Sequence, residues 1–107
     1  MSVLVQKLSS GDHRVEISLR PNRTAKDLQA CIEKGYVHIK FTDTQGGTDL
    51  YVPLRADRTD LAGADFERGT GRVRLVGSLK LDYVPVLCVA EIDLETMSGR
   101  GHLEPTA

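Results

Sequence analysis

The sequence predicts an α+β fold that is mainly β: a strongly curved antiparallel meander, or partly open small β-barrel, of about seven strands with one short helix between strands 2 and 3. Three observations carry this. Residues 72–95 alternate apolar and polar side chains on both arms of what reads as one long hairpin. Only residues 24–34 combine helical periodicity with end signals. Almost every other connection is short enough to join neighbouring antiparallel strands.

The hairpin is the scaffold of the prediction. Folded back at Tyr83 and Val84, it pairs Leu81 with Val86, Leu79 with Cys88, Leu75 with Ile92 and Val73 with Leu94. The same register sets Gly77 against Ala90, Arg74 against Asp93 and Arg72 against Glu95. One register that satisfies both faces is what a half-buried hairpin requires, because a one-residue slip would bury the charges.

The remaining elements follow in order. Residues 3–8 and 14–19 read as two strands around the turn formers Ser9, Ser10, Gly11 and Asp12. A three-residue loop pairs Val5 with Ile17 and is preferred to a two-residue loop pairing Leu4 with Ile17. Thr24 is the expected helix N-cap, with Asp27 at the capping-box position and Gly35 as the C-terminal stop. Ala25, Leu28, Cys31 and Ile32 share the core-facing stripe. Residues 36–42 and 49–54 form a second hairpin with Val37, Ile39 and Phe41 against Leu54, Val52 and Leu50, and Pro53 argues for an edge strand. Residues 59–66 read as one helical turn with Leu61 and Phe66 as core plugs, and residues 99–104 as a last strand.

Composition bounds the function. At 107 residues, the whole chain (1–107) is expected to be a single β-rich domain. The 14 basic residues balance 15 acidic ones, so no basic stripe points to nucleic acid. No apolar run is long enough for a membrane span, and residues 1–8 lack a signal-peptide pattern. A cytoplasmic protein is expected, with Cys31 and Cys88 as reduced, core-facing thiols.

Two site readings remain. On the outer, charge-bearing face of the 72–95 hairpin, Val76, Leu87 and Val89 stand where a solvated strand would carry polar residues. With Tyr83 at the tip they would make an exposed apolar patch, and such patches mark partner surfaces. The expected function is therefore a non-catalytic interaction or accessory module that binds itself, as a dimer, or another protein. The alternative is a small barrel, or a small enzyme, that binds an anionic small molecule. Arg20, Arg23 and Lys26 would supply its contacts at the helix N-terminus.

The other chemistry-bearing residues have simpler readings. Glu91, Asp93 and Glu95 share a strand face and could hold a hard cation, but arginines lie opposite two of them. His13, His38 and His102 are scattered and read as surface residues, with His102 and Asp93 a conceivable pair across the last hairpin. No metal site, cofactor motif or nucleophile–base pairing is recognised.

Overall fold

A computed structural model describes residues 3–18, 24–44 and 46–106. Its described residues form a curled half-barrel of seven antiparallel strands with two helices, in the order α1 (Val3–Ser9), β1 (His13–Ile17), α2 (Ala25–Lys34), β2 (Tyr36–Phe41), β3 (Thr48–Pro53), β4 (Ala64–Asp65), β5 (Thr70–Leu81), β6 (Val84–Asp93) and β7 (Ser98–Pro105). The strands lie side by side as β3-β2-β1-β7-β6-β5-β4. The expected class, a curved and partly open antiparallel barrel, is the one observed.

Alternation decides which face of each strand is buried. Val15 and Ile17, Val37, Ile39 and Phe41, Leu75, Ile92 and Leu103 are all at most 1% exposed and fill the concave side. α1 packs on β7 and α2 on β2, adding Val5, Leu8 and Leu28 to the same core. α2 begins and ends as its sequence signals require. The Asp27 N–H donates to the Thr24 hydroxyl oxygen at 3.1 Å. At the other end Gly35 takes the left-handed φ of 92° and its N–H donates to the Cys31 and Ile32 carbonyls.

The half-barrel is drawn together at one point. Leu54 forms a bridge with Gly77, and the Arg55 N–H donates to the Val76 carbonyl at 2.7 Å. The end of β3 is thereby tied to the middle of β5. Gly77 is required here, since a Cβ would run into the Pro53 carbonyl oxygen and the Val52 side chain. Leu54 also donates its N–H to the Gly35 carbonyl at 2.8 Å, which ties the turn after β3 to the end of α2.

Four expectations need correction. The strand expected at residues 3–8 is helix α1, and β1 pairs instead with β2 and β7. Val5 and Leu8, three apart, are both buried while Val3 is 81% exposed, which is helical spacing rather than alternation. The turn expected at residues 59–66 is extended: Asp60 bridges Arg74, and β4 pairs with the start of β5. Leu61 and Phe66 still pack against the core.

Both hairpins close two residues tighter than expected. Leu81 pairs with Val84, Val73 with Ile92, Arg74 with Glu91 and Arg72 with Asp93. Likewise Val37 pairs with Val52 and Ile39 with Leu50. A shift of two keeps every side chain on its face, so burial survives the error. For β5 and β6 the physical reason is Pro85, which holds the preceding Val84 extended and forces the turn into Asp82 and Tyr83. Pro53 ends β3, the outermost strand on its side of the sheet, as expected.

Candidate functional site

The β5–β6 turn is a two-residue loop in which Asp82 and Tyr83 have φ of 49° and 66°. Two positive φ values define the hairpin turn that matches strand twist, and the second position normally belongs to glycine. A bulky side chain there carries a strain of roughly 1–2 kcal/mol. Packing usually offsets such strain, but Tyr83 is 98% exposed, and no hydrogen bond or ring contact joins it to another described residue. The fold thus holds an aromatic side chain in solvent on a strained backbone.

The other three residues of the expected patch are placed differently. Val76, Leu87 and Val89 are 1%, 9% and 4% exposed, so they do not form an open apolar surface. Val76 pairs directly with Val89, whose other neighbour is His102, and Leu87 lies between Ser78 and Glu104. The Thr59 hydroxyl both donates to the Val76 carbonyl and accepts from its N–H, laying the turn after β3 along this edge of β5. Long polar side chains on flanking strands cover an apolar neighbour with their methylene stems. That shielding is invisible in a single hairpin considered alone.

Arg20 and Arg23 lie outside the described residues. Lys26, the third member of the expected anion site, makes an exposed ion pair with Glu67 at 3.5 Å. The acidic triplet is dispersed. Glu91 meets Arg74 at 3.7 Å, Asp93 accepts the Glu95 N–H at 2.9 Å, and Glu95 itself sits in the turn before β7. Among the described residues no group of three His, Cys, Asp or Glu side chains could hold a metal ion.

The histidines also depart from expectation. His13 is buried rather than at the surface, its Nδ1 2.8 Å from Asp43 Oδ2 and its Nε2 3.2 Å from the Ser10 carbonyl. Its ring meets Phe41 edge-on at 6.2 Å. It therefore ties the end of α1 to the β2–β3 connection. His102 is opposite Val89, not near Asp93, and contacts Glu104 at 2.7 Å and Asp12 at 3.5 Å. His38 meets both Tyr36 and Tyr51, with ring centroids 5.8 and 5.4 Å away, and the two tyrosines stack on each other at 5.2 Å. The three rings contact one another, and Tyr51 remains 55% exposed.

One feature had no signal in the sequence. Where α2 ends and the chain leaves β3, Ile32, Gly35, Leu54, Ala56, Thr59 and Leu61 line an apolar surface pocket of about 140 Å³ that is open to solvent. It exists because the Leu54–Gly77 bridge and the Leu54–Gly35 hydrogen bond bring together segments that are distant in the chain. The strain at Tyr83 had a local signal that the fold-back at Tyr83 and Val84 overlooked: Pro85 disfavours turn backbone at Val84 and so favours Asp82 and Tyr83.

Cys31 and Cys88 are free thiols, the second fully buried. Burial pushes the Cys88 thiol up from 9.0 to about 12, since the low-dielectric core disfavours the thiolate. Among the described residues no helix is long and apolar enough to cross a membrane. Compared with protein-family models and with curated proteins, the chain matches none.

Proposed function

We propose that this chain is a non-catalytic protein-interaction module that holds its partner through the tip of the β5–β6 hairpin, with Tyr83 as the anchor. The observation that supports it is a strained, 98% exposed tyrosine with no partner among the described residues. Backbone strain that nothing local repays is a pointer to function. Tyrosine suits the role: it offers a large rigid contact area at low entropic cost, and it is enriched among the residues that dominate interface energies. The strands behind it give a stiff mount, since β5 and β6 pair continuously from Arg72–Asp93 to Leu81–Val84. A cytoplasmic setting is part of the proposal, supported by the two free thiols.

The test is co-purification from native extract followed by native mass analysis, with the wild type beside Tyr83→Gly. Glycine relieves the backbone and keeps the turn, so this variant stays folded. A partner held at fixed stoichiometry by the wild type and lost from Tyr83→Gly is the expected result. Equal recovery with both proteins, or no protein partner with either, removes the proposal.

A further inference from the structure

We propose that α1 is a latch released by rising pH. His13 and His102, as imidazolium rings, grip the connection that ends it, and α1 leaves its seat on β7 when the rings lose their protons. Tyr83 plays no part in this. α1 ends at Ser9 and β1 begins at His13, so only residues 10–12 join them. His13 reaches back to the carbonyl of Ser10, the first of the three, and His102 reaches from β7 to the carboxylate of Asp12, the last. The connection is held at both ends.

Hydrogen-bond chemistry sets the protonation state in which the grip is complete. His13 has Nδ1 2.8 Å from Asp43 Oδ2 and Nε2 3.2 Å from the Ser10 carbonyl oxygen. His102 has Nε2 2.7 Å from Glu104 Oε2 and Nδ1 3.5 Å from Asp12 Oδ1. A carbonyl or an ionised carboxylate only accepts, and a neutral imidazole carries a single N–H. The neutral ring therefore donates to one neighbour and turns a lone pair on the other, whereas imidazolium donates to both. His13 is 8% exposed, so water has little access to replace a lost donor. Asp43 faces His13 from the β2–β3 connection, while β2 and β7 present Phe41 and Gly101. Asp12 and Glu104 face His102, with Arg74, Glu91 and Arg100 in the same depression. The carboxylates favour charged rings and the two arginines oppose charge at His102, which makes His13 the main grip.

α1 is set to leave once the grip weakens. Its seven residues are fewer than the ~12–15 that an isolated helix needs, so it holds its shape only while docked. Val5 and Leu8 draw it onto the core. Against them, the Ser9 hydroxyl is buried at its end with no hydrogen-bond partner among the described residues. A hydroxyl in that state disfavours docking and recovers water on release. The latch is therefore closed where the rings are charged, and it opens as pH rises through about 5–8, the range in which imidazole loses its proton.

Ring-nitrogen chemical shifts of the histidines, with hydrogen exchange of the full chain, test this over about pH 5–9 once exchange rates are corrected for their intrinsic pH dependence. As His13 passes from two protonated nitrogens to one, the amides of residues 7–9 should exchange roughly tenfold or more faster, while those at the centre of β6 stay protected. Asp43→Asn removes the carboxylate and keeps its shape, so its α1 should open at lower pH than that of the wild type. Exchange in α1 that stays constant or slows as His13 titrates, or an Asp43→Asn profile identical to the wild type, would overturn the inference.

Discussion

Asp82 and Tyr83 share one turn and both have positive φ, yet only Asp82 is a residue type that tolerates this conformation. Tyr83→Gly should therefore raise stability by about 1 kcal/mol in urea unfolding, because the left-handed strain disappears and no contact is lost. The same variant should lose partner binding. A residue whose removal stabilises the fold and abolishes association is being kept for contact. Destabilisation by Tyr83→Gly would mean that the ring packs on the chain after all.

Gly77 lies against Pro53 where the two ends of the half-barrel meet. Gly77→Ala should cost about 1–3 kcal/mol, as overpacking against backbone does, and should loosen the pocket wall at Leu54. Ser78→Ala, one residue along on the exposed face, should change stability by less than about 0.5 kcal/mol. Denaturant midpoints for the two variants make the comparison.

His13 bridges Asp43 and the Ser10 carbonyl while packing on Phe41. Truncation to alanine removes the polar contacts to Asp43 and the Ser10 carbonyl together with buried ring area, so His13→Ala should lose about 2–3 kcal/mol. His102→Ala breaks contacts to the exposed Asp12 and Glu104 and uncovers part of Val89 beside it, so it should lose about 1 kcal/mol, less than His13→Ala. Thermal melts of both variants test the ranking.

Arg14 and Arg100 are directly opposite across β1 and β7, and neither makes an ion pair with a described residue. Like charges at this position are unfavourable, so Arg14→Glu should stabilise the fold by about 0.2–1 kcal/mol at low salt. The gain should fade near 1 M salt, where the Debye length is only about 3 Å. A salt-independent gain would assign the effect to something other than charge.

Cys88 has a thiol pushed up to about 12 by burial, above its ordinary 9.0. The folded state keeps the neutral thiol when the unfolded chain already ionises. Its contribution is therefore complete below pH 9.0 and is lost as pH rises towards about 12, at up to ~1.4 kcal/mol per unit. Cys88→Ala should flatten that part of the stability profile. In the native protein, thiol reagents should label the half-buried Cys31 first and reach Cys88 only on unfolding.

The sequence alone determined the faces. Alternation with period two separated Val73, Leu75 and Ile92 from Arg72, Arg74 and Glu91, and the helix caps at Thr24 and Gly35 set the limits of α2. Pro53 marked a strand at the sheet's edge. These signals are local, so they need no knowledge of neighbours. Tertiary structure decided the rest. A period of two is blind to a shift of two, so registers came from the turns that closed them. A short apolar run such as Val3–Ser9 takes the conformation that its packing surface rewards, here a helix on β7. Val76, Leu87 and Val89 are covered by side chains and a turn from elsewhere in the chain, and the pocket beside Leu54 forms only when three distant segments meet. Local pattern sets which way a side chain points; only the assembled neighbours decide whether water reaches it.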